Sequence, residues 1–167
     1  MRAEMLMLAR YHAWATEVLF GVVRILDDAR YRANVGLFFR SVHGTLNHLL
    51  VADQVWYGRC IDAPFTVAGL DTEFETERGA LACALRAATE RWATWLDTLD
   101  DARLASTLVY RNMSGAAFEQ PLSSVLLHVF NHATHHRGQI SAALTQAGLA
   151  APEMDLVWYL RRAPSPT

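Results

Sequence analysis

Apolar side chains recur at steps of three and four along four long segments of the chain, the spacing that places them on one face of an α-helix. The first segment covers about residues 3–27 and the second covers residues 41–60. The third begins at a T-x-x-E capping box formed by Thr72 and Glu75 and continues to Leu99. The fourth starts at Pro121 and ends near Gly148. The sequence therefore predicts four long helices.

The apolar stripe of each segment predicts which side chains face the core. In the first helix this face comprises Met7, Tyr11, Trp14, Val18, Val22 and Ile25. In the fourth helix it comprises Leu122, Val125, Val129, Ile140 and Ala143. We expect these faces to be buried against one another.

Two shorter patterns lie outside the long segments. Residues 107–110 and 116–118 are short alternating pieces on either side of the sequence NMSG, which predicts a small β-hairpin before the last long helix. Residues 155–161 predict a terminal helix that packs Leu156, Trp158 and Tyr159.

Four long helices with mostly short connections are typical of an all-α four-helix bundle. A chain of 167 residues fits a single domain, spanning residues 1–167. The connections before the second and fourth helices are longer than the others, so the pattern leaves the order of the helices open.

Composition narrows the classes of partner. Fifteen Lys and Arg residues against seventeen Asp and Glu residues give a net charge of -2, and no basic run with interleaved aromatic residues indicates a nucleic-acid surface. Glu4 and Arg10 interrupt the apolar N-terminal run, which fits neither a signal peptide nor a membrane span, so we expect a cytoplasmic protein. Cys60 and Cys83 lack metal or redox spacing and are expected to be core thiols.

Four of the seven histidines fall within the stretch HVFNHATHHRGQI, residues 128–140. On a helical wheel His128, His132, His135 and His136 lie within about 100° of one another, on the side that carries the core-facing apolar residues. Histidines three or four residues apart can bind one ion, so several pairs are open and only His132 belongs to all of them. A buried row of imidazoles leaves many polar atoms to satisfy, which favours a metal site over a hydrogen-bonded polar stripe.

Two histidines on one helix make an incomplete metal site, so a third ligand has to come from a facing helix. His48, at the edge of the apolar face of the second helix, is the natural candidate. Asp53 lies in the middle of that face, where an unpaired carboxylate would be costly. Its predicted partner is the N–H of a ligand imidazole, Arg137, or an unrelated structural bond. We expect His12 and His43 to be surface histidines or hydrogen-bonded core residues.

Two motifs resemble those of the DinB/YfiT-like family of metal-dependent proteins. The segment TLNHLLVADQVWYGR places His48, Asp53 and Trp56 in the family's H-x4-D-x2-W spacing, and NHATHHRGQI is similar to its N-H-x3-H-R-G-Q signature. The resemblance covers essentially the whole chain and implies a four-helix bundle with up-down-down-up connectivity. It also implies a divalent ion held by His48, His132 and His136. Further residues of the two motifs, together with the neighbouring His128, are expected to lie around the ion or in a substrate pocket: Asp53, Trp56, His128, His135, Arg137 and Gln139.

The resemblance also implies a range of functions. The wider superfamily includes enzymes that use low-molecular-weight bacterial thiols, so the leading hypothesis is a metal-dependent S-transferase that joins such a thiol to an electrophile. The alternatives are a hydrolase with a metal-activated water and a non-enzymatic metal-binding stress-response protein, the latter with His128 or His135 as a fourth ligand. Three imidazoles suit zinc or nickel foremost, with iron and copper also open. The expected partners are a small-molecule substrate and a second copy in a homodimer, with no nucleic acid and no membrane.

Overall fold

The computed structural model describes residues 1–162 and confirms four long helices and one hairpin. In chain order the elements are α1 (Arg2–Val23), α2 (Asp28–Arg32), α3 (Val42–Cys60), α4 (Arg78–Asp97), α5 (Asp101–Ala105), β1 (Thr107–Arg111), β2 (Ala117–Pro121), α6 (Leu122–Gln146) and α7 (Leu156–Arg162). Within residues 1–162, no helix combines the length and the apolar character that crossing a membrane requires.

The core consists of two buried clusters, one at each end of the bundle. The first joins the C-terminal halves of α1 and α6 to the N-terminal halves of α3 and α4, around Leu19, Leu46 and Ile140. The second joins the opposite halves of the same helices, around Trp92 and Phe130. Helices α1 and α6 therefore run in one direction and α3 and α4 in the other, which confirms the up-down-down-up connectivity.

Each long helix packs against two neighbours. Helix α1 contacts α4 and α6, and α3 contacts the same two helices, so α1 and α3 occupy opposite corners of the bundle. An ion pair between Glu17 and Arg86 joins α1 to α4 at the surface. This order makes α3 and α6, the two helices that carry the histidine motifs, antiparallel neighbours.

The buried face of α1 differs from the predicted one. Met5, Ala9 and Leu19 are buried together with His12, whereas Ile25 lies beyond the end of the helix and is 63% exposed. Most of the other predicted positions are only half-buried. The predicted stripe follows a different side of α1 from the buried stripe, which combines large apolar residues such as Met5 and Leu19 with the small Ala9 and the polar His12. This stripe carries a histidine into the core.

The capping box predicted at Thr72 does not begin a helix. Helix α4 starts at Arg78, after Glu77, and the Thr72 hydroxyl donates instead to the Gly69 carbonyl. The backbone of Glu75 is bonded on both sides to the Asn47 amide of α3, at 2.9 and 3.0 Å. Residues 72–76 are not helical, and this contact between distant parts of the chain overrides the local capping signal.

The hairpin forms close to its predicted position. Strands β1 and β2 pair in register from Thr107 with Pro121 to Arg111 with Ala117. The turn is closed by Asn112, whose side-chain oxygen accepts hydrogen bonds from two backbone N–H groups of the loop. The N–H of Leu122 donates to the carbonyl of Ser106, which fastens the hairpin to the start of α6.

Two predictions about buried residues are wrong. Trp158 of α7 is 41% exposed, and the terminal helix packs on α1 through Tyr159, which contacts the rings of Tyr11 and Trp14. Cys83 is exposed on the outer face of α4, whereas Cys60 is buried as expected. In both cases the residue lies on the side of its helix that faces away from the neighbouring helices.

Candidate metal centre

The packing of α3 against α6 brings His48 next to His132 and His136. The Nε2 atom of His132 lies 3.1 Å from Nε2 of His48 and 3.1 Å from Nε2 of His136. One ring nitrogen from each of the three residues lies within 4.8 Å of the other two. Two imidazoles that bind one tetrahedral ion at about 2.0–2.1 Å have nitrogens about 3.3 Å apart, so the spacing fits a metal site.

Hydrogen bonds at the far side of two rings fix where their protons lie. Nδ1 of His48 is 2.9 Å from the carbonyl oxygen of Leu70, which can only accept, so this nitrogen carries the proton. Nδ1 of His136 is 2.8 Å from the side-chain oxygen of Gln139 and donates in the same way. Both Nε2 atoms therefore direct lone pairs at His132, which has at most one Nε2 proton to share between them. A cation satisfies all three rings at once.

Burial keeps these imidazoles neutral. It lowers the pKa of His48 to about 4, despite the opposing hydrogen bond to Leu70. Burial, followed by the neighbouring rings of His136 and His48, lowers the pKa of His132 to about 3. The pKa of His136 is also lowered, again mainly by burial. Neutral imidazole is the form that binds a metal, so protons do not compete for the cluster near neutral pH.

The metal-free protein is expected to lose stability as the pH falls from about 6.5 toward 4. The unfolded chain protonates these histidines near their ordinary pKa of about 6.5, whereas the folded protein keeps His48 and His132 neutral to about pH 4 and 3. The unfolded state thus binds more protons than the folded state in this window. The free energy of unfolding therefore decreases as the pH is lowered. Urea unfolding at a series of pH values measures the slope. We expect His132→Ala to flatten it and the exposed His135→Ala to leave it unchanged; equal slopes in all three proteins would contradict the assignment.

A phenylalanine covers one side of the cluster. The ring of Phe39 stacks on His48 with centroids 3.8 Å apart and planes at 16°, and it lies 5.6 Å from the ring of His136. Gly44 makes this approach feasible, because a Cβ there would lie 2.2 Å from the Phe39 carbonyl oxygen. Neither residue is among the predicted site residues. The glycine inside the helical pattern was the available signal.

His128 and His135 lie beside the cluster without joining it. His128 is exposed, and its ring packs 5.2 Å from the Trp56 ring and 5.6 Å from the ring of His132. His135 is also exposed and contacts the Gln139 amide at 3.1 Å. Within residues 1–162, the group of donors close enough to share an ion contains three histidines and no fourth His, Cys, Asp or Glu.

The Asp53 carboxylate contacts neither the three histidines nor Arg137 directly. It accepts hydrogen bonds from the Trp92 indole at 2.7 Å and from Nε2 of His12 at 3.1 Å. Arg137 reaches it through His12, because its guanidinium donates to Nδ1 of that ring at 2.7 Å. Since a guanidinium can only donate, the proton of His12 lies on Nε2, facing Asp53. Of the three predicted alternatives, the structural bond is the one observed.

This buried network anchors the turn of α6 that carries His136. Burial raises the pKa of Asp53, but His12 and the Trp92 hydrogen bond outweigh it and hold the pKa below its usual value. Arg137 is 2% exposed and supplies the balancing positive charge, although burial lowers its pKa. Arg137 directly follows His136, so the network fixes the backbone at this ligand position. His12, which the apolar pattern did not single out, is its central member.

His12 and His43, the histidines on α1 and at the start of α3, are both hydrogen-bonded core residues. Nδ1 of His43 is 3.1 Å from the Tyr31 hydroxyl, and its Nε2 is 2.7 Å from the Glu73 carboxylate. His12 is bonded to Asp53 and Arg137. Both rings are therefore satisfied without a metal.

Replacing Gln139 by leucine is expected to weaken metal affinity about 10–100-fold, the usual effect of removing the acceptor behind a ligand histidine. The side-chain oxygen of Gln139 holds the proton of His136 on Nδ1, and leucine cannot do so. Gln139→Glu retains an acceptor and should retain most of the affinity. Competition with a chromophoric chelator gives the affinities. A loss no greater than that of Gln146→Leu, at an exposed site on the same helix, would count against this role.

Comparisons with known proteins agree with this fold. Protein DinB from Bacillus subtilis (strain 168) is 29% identical to this chain over 159 residues, which cover 92% of this chain and 91% of the relative. YfiT from Bacillus subtilis is a solved structure described as a probable metal-dependent hydrolase with an unusual four-helix bundle topology. It superimposes on this chain with a TM-score of 0.63 at 16% identity, and the match covers 86% of this chain and 87% of that chain. The model of the DinB family matches residues 1–166. The chain belongs to the DinB family.

Proposed function

We propose that this protein is a metal-dependent enzyme that transfers a low-molecular-weight thiol to an electrophile. The observation that carries the proposal is the donor set. His48, His132 and His136 converge, and no fourth His, Cys, Asp or Glu among residues 1–162 joins them. Three neutral imidazoles that leave one coordination position open are typical of catalytic rather than structural metal sites. Zinc or nickel is the ion that we expect, because both bind imidazole well.

The residues of the cluster hold and orient the reacting groups. A bound divalent ion supplies Lewis acidity, which lowers the pKa of a thiol that it binds. Nε2 of His48 and Nε2 of His136 are free of protons because a backbone carbonyl and Gln139 hold those protons on Nδ1. The Phe39 ring shields His48 from water. His132 is the most exposed of the three, so a substrate has its access from that side.

Thiol transfer requires less help from a proton-accepting side chain near the ion than hydrolysis does. Asp53, the carboxylate of the first motif, is turned into the core and occupied by His12 and Trp92, so it cannot take a proton from an attacking water. A thiol, with a pKa of about 8.5, loses its proton far more readily than water and needs no such base. In the transfer, the thiolate sulfur bonds to the electrophilic carbon, the leaving group departs with the bonding electron pair, and the thiol proton passes to solvent.

Metal-dependent hydrolysis is the second candidate, because YfiT, which shares the fold, is described as a probable metal-dependent hydrolase. In that reaction His128, whose ring centroid is 5.6 Å from that of His132, is the proton acceptor that we would test first.

A non-enzymatic metal-binding protein of the stress response calls for a filled coordination shell. His128 packs on Trp56 and His135 contacts Gln139, so neither supports a fourth ligand in that arrangement.

A thiol screen tests the proposal. The metal-loaded protein is incubated with bacillithiol, mycothiol, glutathione or cysteine and with 1-chloro-2,4-dinitrobenzene, and loss of free thiol is followed. We expect turnover with at least one thiol, loss of that turnover in His132→Ala, and its retention in His135→Ala. No turnover with any thiol, together with metal-dependent cleavage of an activated ester, would overturn thiol transfer in favour of hydrolysis.

A further inference from the structure

A cavity of about 560 Å³ lies between α3, the loop after it and the hairpin. Its walls are of mixed polarity, and the apolar part includes Val55, Phe65, Val67 and Val109. The charged groups that line it are Arg59, Arg111 and Asp62, two guanidinium groups against one carboxylate. Its volume is in the range of small-molecule sites, and its polar groups carry a net positive charge.

Arg59 is half-buried at the wall of this cavity and has no acceptor. Its guanidinium lies 4.5 Å from the centre of the Trp56 ring and 5.0 Å from that of Tyr110, so two aromatic residues hold it in place. Burial lowers its pKa. Among residues 1–162, no hydrogen-bond acceptor and no carboxylate lies within bonding distance of it.

The other buried or half-buried arginines show what is unusual about Arg59. Arg91 donates to the side chain of Gln54 and to a backbone carbonyl, and Arg137 donates to His12 and Thr134. Every remaining arginine of this kind in the described chain also donates to a carbonyl, hydroxyl or carboxylate: Arg2, Arg78, Arg86 and Arg103. Arg59 differs from them in that none of its donors is bonded to a protein group within residues 1–162, so they are free to bind an anion in the cavity.

Helix α3 carries both a wall of this cavity and one of the three histidines. His48, Val55 and Arg59 are spaced by seven and four residues, which places them on one face of the helix, with His48 and Arg59 about 16 Å apart at a rise of 1.5 Å per residue. The ring of His128 lies 5.6 Å from His132 and 5.2 Å from Trp56, the ring on which Arg59 stacks. The loop that lines the cavity continues to the Leu70 carbonyl, which holds His48.

We propose that this cavity binds a small molecule that carries a carboxylate or phosphate group, and that Arg59 recognises the anionic group. The planar guanidinium, held against two aromatic rings, can donate two parallel hydrogen bonds to such a group, while the apolar part of the wall accommodates the carbon skeleton. Arg111 adds a second positive charge at the rim. That the molecule is part of the thiol or electrophile substrate rests on the proposed function; the binding site itself does not.

Titration calorimetry of the metal-loaded protein with 3-phenylpropionate and 3-phenylpropanol tests the site, because these probes have the same shape and differ in charge. We expect the acid to bind about ten-fold or more tightly than the alcohol. Arg59→Met, which keeps an apolar stem beside the two rings, should abolish this preference, and Arg59→Lys should retain part of it. The exposed Arg10→Gln should behave as the parent. Phenyl phosphate, compared with the acid, shows which anion class is bound more tightly.

Three outcomes would overturn the inference. The first is equal binding, or no binding, of the acid and the alcohol by the parent protein. The second is an unchanged preference in Arg59→Met. The third is a preference that is lost in His132→Ala but kept in Arg59→Met, which would place the carboxylate at the three histidines. Because the readout is binding rather than turnover, a protein without thiol transferase activity can still satisfy this test, so the two proposals fail separately.

Discussion

Replacing His132 by alanine is expected to abolish stoichiometric metal binding. His132 lies at the centre of the cluster, with its Nε2 atom 3.1 Å from that of His48 on one side and 3.1 Å from that of His136 on the other. The variant leaves two imidazoles on different helices, and two ligands do not make a stable protein site for a divalent ion. We expect elemental analysis after dialysis to fall from about one ion per chain to a few per cent of that value.

The matched controls are the two neighbouring histidines on the same helix. His128→Ala and His135→Ala remove the same side chain from exposed positions outside the donor group, and both should retain metal like the parent. His48→Ala and His136→Ala should lose metal as His132→Ala does. Retention of metal by all three cluster variants would show that the ion is bound elsewhere or not at all.

Replacing Asp53 by alanine is expected to reduce the free energy of unfolding by about 3–5 kcal/mol, the usual cost of breaking a buried charge network by removing one member. The variant leaves the Trp92 indole without an acceptor. It also removes the carboxylate that balances the buried guanidinium of Arg137, which is 2% exposed and reaches Asp53 through His12. Because this network holds the turn next to His136, weaker metal binding should accompany the lower stability. Urea unfolding with circular dichroism detection measures the first effect.

Glu17→Ala is the control for Asp53, because it also removes one carboxylate from an ion pair between helices. Glu17 pairs with Arg86 at the surface, and such exposed pairs contribute less than about 1 kcal/mol. Trp92→Phe, which removes one hydrogen bond to Asp53 and keeps the ring, should cost about 1–3 kcal/mol. If Asp53→Ala and Glu17→Ala were equally stable, the buried network would not be the anchor that its geometry indicates.

The elements of the fold could be predicted because helix periodicity and hairpin signals are local. The apolar stripe of α6, for example, is buried at every predicted position. What could not be predicted depends on contacts between distant residues. The start of α4 is set by Asn47 of α3 rather than by the capping signal at Thr72. Periodicity also left open how the helices are arranged, because their directions follow from the two core clusters, to each of which every long helix contributes one half.

The residues of the candidate site could likewise be predicted only in part from the sequence. Spacing brought the histidines of α6 to one face, and the motif resemblance, not periodicity, singled out His48, His132 and His136. The partner of Asp53 could not be predicted, because the apolar pattern indicated a different side of α1 from the one that carries His12 into the core. Leu70 contributes only a backbone carbonyl, which leaves no signature in a sequence.

The most direct test of a three-histidine metal centre with an open position is the absorption spectrum of the cobalt(II)-substituted protein during titration with a small thiol. We predict that one cobalt ion binds per chain and that the thiol adds a sulfur-to-cobalt charge-transfer band in the near ultraviolet. The band should be absent in His132→Ala and present in His135→Ala. A cobalt protein whose spectrum does not change with excess thiol would contradict the account, because it would mean that no coordination position is open to the proposed substrate.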